Sequence, residues 1–372
     1  MKRIAILTSG GDAPGMNAAI RAATLVGRAG GAEILGIERG YRGLLEDAFV
    51  ELGPSDVAGI LREGGTILGS ARCKEFHERP VRDRAREILA RHAIDGMIVI
   101  GGNGSLTGAI HVAAPSEIGT GRPLTVIGVP ASIDNDLGLT GLCIGVDTAM
   151  NTIVEACDKI ADTATAHDRT FIVEVMGRDC GYLAMTSAIA VGADLALFPE
   201  AGKKEADVVD QIVDAVMTVR KRSGGPRRGR RVIIIKAEGV QVQADRLKAL
   251  VDAKLKARAP EAEPASIETR VTVLGHVVRG GRPSAFDRLL GSRLANVAIR
   301  SLLAGETHKM AAWMPPVELP EEVGQRSKFD PYCWLVDLQA VLAETDNLIS
   351  GRSSLARWRA GAFDEIEDAL LL

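Results

Sequence analysis

The stretch Gly101-Gly102-Asn103-Gly104-Ser105 directly follows the apolar run Gly96-Met97-Ile98-Val99-Ile100. An apolar run of that length, closed by a turn signal, reads as a buried strand of a parallel sheet. Glycines at its carboxyl end let backbone N–H groups approach a ligand with no Cβ in the way. Ser105 is placed to cap a helix starting near Leu106, which would aim a helix N-terminus into the same space. The combination suits an anion such as a phosphate. A plain tight turn accounts for the pentapeptide equally well.

The same strand–loop–helix unit recurs on both sides of this stretch. Strand Ile4–Leu7 runs into Thr8-Ser9-Gly10-Gly11-Asp12-Ala13-Pro14-Gly15-Met16-Asn17, with Asn17 as the expected cap of a helix from Ala18 to Arg28. Ala32–Ile37 is a second strand, followed by Tyr41-Arg42-Gly43. Gly64-Gly65-Thr66-Ile67-Leu68-Gly69-Ser70-Ala71-Arg72 is a second glycine-rich loop, and Val81–His92 is a charged amphipathic helix. Strand Leu124–Val129 ends in Pro130-Ala131-Ser132-Ile133-Asp134-Asn135-Asp136.

The second half repeats the pattern more loosely. Helix Ala149–Ile160 leads to strand Thr170–Val175 and then Met176-Gly177-Arg178-Asp179-Cys180-Gly181. Strand Val232–Lys236 ends at Glu238-Gly239, and strand Arg270–Leu274 ends in Gly275-His276-Val277-Val278-Arg279-Gly280-Gly281. Alternating strands and helices imply parallel sheets with right-handed crossovers, and ligands outside the carboxyl ends of the strands. The expected fold is α/β: two Rossmann-like lobes with mostly parallel sheets facing across a cleft. One lobe takes residues 1–145 plus about 278–330, the other 146–277 plus about 331–372. The tail beyond about Pro316 shows helix-like tracts at Trp334–Glu344 and Arg357–Leu371 and no readable chemistry.

With 372 residues, 46% of them hydrophobic and 25% charged, the chain has the composition of an ordinary globular protein. A net charge of −3 gives no field favouring nucleic acid or a membrane surface. Cys73, Cys143, Cys157, Cys180 and Cys333 show neither CxxC nor Cys/His spacing, so reduced thiols are expected rather than a disulfide framework or a zinc site. Met1-Lys2-Arg3 leads straight into an apolar strand, leaving no signal-peptide core, and no apolar run is long enough to span a bilayer. A cytoplasmic protein is expected.

Asp134 and Asp136 flank Asn135 at a strand end. Two carboxylates so placed can divide labour, one holding a metal and the other taking a proton. An Asx-turn or a helix cap is the plainer use of Asp-Asn-Asp. Three glycine-rich loops and several arginines at equivalent topological positions tip the balance toward chemistry. The basic stretch Arg220–Arg231 reads as a solvated loop, with anion binding as the lesser alternative.

In this order the motifs resemble the 6-phosphofructokinase family. The residues that carry the resemblance are Gly10 to Asn17, Gly69-Ser70-Ala71-Arg72, Ser132 to Asp136, Glu174-Val175-Met176-Gly177-Arg178, and Leu274 to Gly281, spread over residues 1 to about 310. The resemblance implies phosphoryl transfer from ATP to the C1 hydroxyl of fructose 6-phosphate, with Mg²⁺ as cofactor, in a glycolytic kinase. It implies Asp134 as the base, with Arg178, Arg72 and Gly11 completing the catalytic set. Gly11, Tyr41, Arg72, Cys73, Gly102, Asn103, Gly104 and Ser105 would bind the donor. Ser132, Asp134, Arg169, Met176, Gly177, Arg178, Glu238, Arg270, His276 and Arg279 would bind the sugar phosphate. Asp136 and Asn103 would hold the metal. The first lobe would thus take ATP and the second the sugar phosphate. Arg169 and Arg270 resemble a pair that reaches the 6-phosphate from a neighbouring subunit, which implies a homo-oligomer, a tetramer or a dimer.

The family divides by donor. Gly104 and Ala131 match its ATP-dependent members, where pyrophosphate-dependent members have Asp and Lys. Asn103 stands where the family usually has Asp, which removes one negative charge from the metal site and keeps a pyrophosphate or mixed donor open. Cys73 and His77 replace a Phe and an Arg around the adenine. Arg21, Arg227 and Arg230 resemble remnants of an effector site, while Leu25, Pro54 and Ala161 stand where further arginines are expected, so a weak effector response is implied. A different sugar-phosphate acceptor, or a non-catalytic nucleotide-binding subunit, are the remaining readings.

Overall fold

The computed structural model describes residues 2–114, 124–222, 231–260, 268–314 and 323–370. Arg227 and Arg230 lie outside the described residues. In chain order the strands are β1 (Arg3–Ser9), β2 (Glu33–Ile37), β3 (Phe49–Glu51), β4 (Gly96–Gly101), β5 (Thr125–Pro130), β6 (Thr170–Val175), β7 (Leu195–Leu197), β8 (Val232–Ala237), β9 (Thr269–Val273), β10 (Lys309–Trp313), β11 (Gly324–Arg326) and β12 (Cys333–Asp337). The chain divides into two compact units: residues 1–148 with 279–347, and 149–278 with 348–372.

The first unit is built on an eight-stranded sheet in the order β11-β12-β10-β5-β4-β1-β2-β3. Its five middle strands, β10 to β2, run parallel, and antiparallel strands close both edges. Every residue of β4 is buried, as the continuous apolar run Gly96–Gly101 requires of a central strand covered on both faces. Helices Met16–Ala29 and Ala285–Leu303 form the most extensive helix–helix contact of this unit. The second unit holds a fully parallel four-stranded sheet in the order β7-β8-β6-β9. Helices Glu205–Arg222 and Ala244–Arg258 bury Val208, Ile212, Val216, Leu247, Val251 and Leu255 in its core. Among the described residues no helix is long and apolar enough to cross a membrane, and all five cysteines are free thiols.

Three expectations need correction. The tract Trp334–Glu344 is not one helix: its first residues form β12, which pairs antiparallel with β10, and a helix follows only from Leu338 to Ile349. The run Cys-Trp-Leu-Val is aromatic and apolar and buried throughout, which suits a sheet position better than a helix face. The same pairing moves residues 331–347 from the second lobe into the first unit. Asn17 caps nothing, because the helix begins at Met16 behind Gly15. Its buried side chain instead donates to the carbonyls of Glu63 (3.1 Å) and Gly64 (3.2 Å) and accepts from the Ile67 N–H (2.8 Å). Asn17 thereby anchors the second glycine-rich loop to the first helix.

The returning C-terminal segment is pinned by one ion pair. Arg293, on helix Ala285–Leu303, makes a two-pronged contact with Asp330, each bond 2.6 Å long, and its guanidinium lies over the Tyr332 ring at 4.6 Å. Burial alone would raise the Asp330 carboxyl, but hydrogen bonds from Arg293 and the Tyr332 N–H outweigh it and hold the group below the usual carboxylate range. A depressed carboxyl stabilises the fold above its unfolded value of about 3.9, and that contribution is lost as pH falls through the depressed value. Replacing Arg293 with Met is expected to cost about 3 kcal/mol or more near neutral pH, since it strands a buried carboxylate. The gap between the urea midpoints of variant and wild type should narrow below about pH 3.9. An equal gap at pH 7 and pH 3 would show that only packing was lost.

Candidate active site

Backbone register builds the site of the first unit. Ser9 of β1 pairs with Gly101 of β4, and Gly101 pairs with Pro130 of β5. The loops carrying Gly11, Gly104 and Asp134 therefore leave the sheet side by side and at one level. β2 lies on the other side of β1, so the strand order reverses between β1 and β4. Ligands of open α/β sheets bind at such a reversal, outside the carboxyl ends.

Each loop is braced by its neighbours. Arg279 spans the first loop: its Nη1 contacts the Asp12 carbonyl at 3.4 Å, and a Cβ on Gly11 would lie 2.6 Å from that nitrogen. A side chain there would displace the Arg279 guanidinium. The Gly69–Arg72 loop is tied to β1, where the Thr8 hydroxyl donates to the Gly69 carbonyl (2.8 Å) and Ser70 Oγ donates to the Gly10 carbonyl. Arg72 itself is exposed, as is Gly104.

Helix Asn103–Ala113 starts two residues beyond β4, earlier than expected, so Ser105 lies inside its first turn and caps nothing. The Ser105 side chain is buried, and its Oγ has no hydrogen-bond partner among the described residues. It stands beside Gly10, where a Cβ would lie 3.2 Å from the oxygen. A Cβ at Gly104, by contrast, would meet nothing within 4 Å. Tyr41 is buried, stacks on Phe76 at 4.2 Å and donates its hydroxyl to the Ser105 carbonyl at 2.6 Å. Burial pushes the Tyr41 hydroxyl well above the usual phenol range, which keeps it a neutral donor. Tyr41 braces the helix start from below. Cys73 is half-buried just ahead of the short turn Lys74–His77, and burial together with Glu75 raises its thiol.

The Asp134–Asp136 loop owes its shape to the residue between the two carboxylates. Asn135, 1% exposed, adopts a left-handed backbone with φ of 51°. Its amide donates to the Gly141 carbonyl (3.1 Å) and accepts from the Cys143 N–H (2.9 Å), so it staples the loop to the returning chain. Asn between two Asp residues is itself a signal, because Asn tolerates the left-handed conformation. The half-buried carboxylates on either side face differently: Ser132 Oγ donates to Asp136 Oδ1 at 2.6 Å, while Asp134 Oδ1 is shielded from solvent.

Asp287 was passed over in the sequence, although Ser284-Ala285-Phe286-Asp287 has the spacing of a capping box. Ser284 does cap the helix, accepting from the Asp287 N–H at 3.1 Å. The buried Asp287 carboxylate turns away to accept from Gly145 N (2.7 Å), Thr148 N (2.8 Å) and Thr148 Oγ1 (2.5 Å). Burial raises this carboxyl, and those hydrogen bonds oppose the rise.

Among the described residues no group of three or more His, Cys, Asp or Glu is placed to hold a metal. What the first unit offers is sparse and hard: carboxylate oxygens at the end of β5 and the Asn103 amide at the end of β4. These loops abut, since a Cβ on Gly102 would lie 3.8 Å from the Ala131 carbonyl and from Ser132 Cβ. One or two carboxylates with open positions fit Mg²⁺, which completes its octahedron with water and substrate phosphate.

In the second unit, Met176, Gly177, Arg178, Glu238 and His276 all follow carboxyl ends of the four-stranded sheet. Glu238 N donates to the Val175 carbonyl (2.8 Å), Gly239 N to the Gly177 carbonyl (3.1 Å), and Leu274 N to the Glu174 carbonyl (3.0 Å). The Arg178 loop runs so close to Gly239 that a Cβ there would lie 1.9 Å from the Arg178 carbonyl oxygen. Met176 is buried, whereas Arg178 and His276 are exposed. Beneath this group lies an ion pair that the apolar pattern of β8 conceals. Lys236, 1% exposed, donates to Glu174 Oε2 at 2.8 Å and to the Ala237 carbonyl at 3.2 Å. The two residues face each other in register on β6 and β8.

Arg169 and Arg270 do not join this group. Arg169 immediately precedes β6, and Arg270 pairs with Phe171 at the start of β9. They lie at the amino end of the sheet, roughly 20 Å from the carboxyl end at about 3.3 Å per residue. Arg270 forms an ion pair with Glu268 there.

Comparison with known proteins identifies the family. The phosphofructokinase family model matches residues 3–302. The ATP-dependent 6-phosphofructokinase of Thermotoga neapolitana is 45% identical over 84% of this chain and 90% of its own. That of Clostridium botulinum is 43% identical over 89% and 96%. Among solved structures, Pichia pastoris phosphofructokinase matches with a TM-score of 0.83 and 33% identity, over 99% of this chain and 39% of the Pichia chain. With four-fifths of its length under the family model and these identities, the chain belongs to the phosphofructokinase family.

Proposed function

We infer that the chain transfers the γ-phosphoryl group of ATP to the C1 hydroxyl of fructose 6-phosphate. The observation that carries this reading is the shared level of Ser9, Gly101 and Pro130, which aligns a glycine loop, a helix N-terminus and a pair of carboxylates. Phosphoryl transfer needs in-line positioning and charge stabilisation more than covalent chemistry, and those are the parts present.

Gly11 and the N-terminus of helix Asn103–Ala113, with Gly104 and Ser105, take the donor's phosphates. Arg72 adds positive charge at the same loops, and Gly102, Cys73 and Tyr41 shape the donor side. Gly104 leaves the space that ATP's inner phosphates fill, and Ala131 leaves no cation for a second phosphate, so ATP is the donor. Asp134 accepts the hydroxyl proton as the sugar oxygen attacks. Asp136 and Asn103 hold Mg²⁺. When bound, the ion screens phosphate charge and orients the transferring group. Ser132, Met176, Gly177, Glu238, His276 and Arg279 bind the sugar phosphate, and Arg178 neutralises charge developing on the phosphoryl group. Arg169 and Arg270, at the opposite end of their sheet, serve the site of a second copy, so the working form is a homo-oligomer.

Supplying fructose 6-phosphate and Mg²⁺ with either ATP or pyrophosphate tests the reading directly. Turnover is expected with ATP and not with pyrophosphate, and the reverse result would overturn the assignment of Gly104 and Ala131. Asp134→Asn should lower kcat by about a hundredfold or more while ATP still binds, in line with loss of a general base. Asn103→Asp should lower the Mg²⁺ concentration needed for half-maximal rate, because it restores a carboxylate to the metal site; an unchanged Mg²⁺ dependence removes Asn103 from that site. Mixing inactive Asp134→Asn chains with weak Arg270→Ala chains should regenerate activity through hybrids. Mixtures no more active than their parts would place Arg270 outside any shared site.

A further inference from the structure

Residues 303–347 lie beyond the stretch matched by the family model, yet they belong to the first unit. Their strands extend the sheet next to β5, the strand that ends in Asp134 and Asp136. They also touch the return of that loop at two separate places. At Thr140 and Gly141, the Gly141 N–H donates to the Trp313 carbonyl at 2.6 Å, and the Trp313 N–H donates to Thr140 Oγ1 at 3.2 Å. At Gly138, two residues past Asp136, the backbone N–H donates to Thr345 Oγ1 at 2.9 Å.

Thr345 is fully buried on helix Leu338–Ile349, and its hydroxyl also donates to the Val341 carbonyl at 2.8 Å. Its one proton is thus directed back into its own helix, which turns a lone pair outward to receive Gly138. No apolar side chain can do both. The contact is close as well as polar. A Cβ on Gly138 would lie 2.7 Å from Glu344 Cβ and 2.9 Å from the Glu344 carbonyl carbon, so loop and helix meet backbone to backbone. Asn135 carries the restraint inward, since its amide is bonded to Gly141, the same residue that Trp313 holds.

We propose that the C-terminal segment is a buttress for catalysis, and that Thr345 is a positioning residue that fixes Asp134 and Asp136 through the Gly138 N–H. This rests on the reading of Asp134 as the base and Asp136 as a metal holder. The loops that take the donor's phosphates have other braces and do not depend on Thr345. Its loss should therefore lower turnover and, through Asp136, raise the Mg²⁺ requirement, while donor affinity at saturating Mg²⁺ is left near wild type.

Three variants decide the matter. Thr345→Val keeps the shape and removes the hydroxyl, Thr345→Ser keeps the hydroxyl, and Gly138→Ala pushes the loop off the helix while leaving Thr345 intact. Wild-type turnover on fructose 6-phosphate with ATP, and its loss in Asp134→Asn, first establish the underlying reading independently. Thr345→Val and Gly138→Ala are then expected to lower kcat by about tenfold or more, as a small misplacement of catalytic groups does. At saturating Mg²⁺, KM for ATP should stay near wild type, and Thr345→Ser should restore kcat. Amide hydrogen exchange gives a readout apart from activity: the Gly138 N–H should be protected in wild type and in Thr345→Ser and should exchange faster in Thr345→Val. The proposal is overturned if Thr345→Val turns over like wild type, or if kcat and ATP affinity fall together at saturating Mg²⁺ in Thr345→Val and Gly138→Ala. If Thr345→Val does not fold, Gly138→Ala alone decides between these outcomes.

Discussion

The structure depends on the parallel hydrogen-bond ladder that joins β1, β4 and β5. A ladder has no intermediate register: slipping one strand by a single residue would send each of its side chains to the opposite face. In β4 both faces are buried, so such a slip would force the apolar residues of the whole middle sheet to repack. The apolar run thus does more than fill a core. It fixes the height at which three polar loops begin, and the loops are free to be rich in glycine, asparagine and aspartate because they do not have to hold themselves in place.

A second layer of control comes from buried polar side chains bonded to backbone rather than to ligand. Asn17, Asn135 and Asp287 each make two or three such bonds; Asn17 and Asp287 join a loop near the site to a segment distant in sequence, and Asn135 closes its own loop. Ordering a loop residue costs about 1–2 kcal/mol of conformational entropy. Short side chains with a forked polar end offset that cost at several backbone groups at once. They also satisfy buried N–H and carbonyl groups that no strand or helix reaches.

Much of this was legible in the sequence, and the parts that were not share a physical cause. Strands β1, β2, β4, β5, β6, β8 and β9, the glycine loops and Asp134 with Asp136 announce themselves through local pattern, because hydrophobic period and turn residues are properties of neighbouring positions; the short or edge strands β3, β7, β10 and β11 do not. Helix starts were misplaced where a good capping residue was present but occupied elsewhere, as with Asn17 and Ser105: propensity says what a side chain can bond, not which partner reaches it first. The Trp334 tract is ambiguous in sequence because a short apolar run suits a strand as well as a helix, and only its partner β10 decides. Lys236 and Thr345 stayed hidden because their partners, Glu174 and Gly138, lie 62 and 207 residues away. Arg169 and Arg270 could be matched to a role by resemblance, but only the strand register showed that they sit at the other end of their sheet from the rest of their group.

The buried pair of Lys236 and Glu174 has a consequence for how this protein can change over time. Removing either partner leaves a charge in the core and costs roughly 3–5 kcal/mol, a large part of the 5–15 kcal/mol by which a typical domain is stable. Replacing both together with apolar residues of similar volume is often neutral or better. The two end points are therefore both accessible, while either single step between them is strongly disfavoured. A lineage that has acquired this pair is held to it, and the strands that carry Met176 and Glu238 inherit a fixed point that drift cannot easily remove.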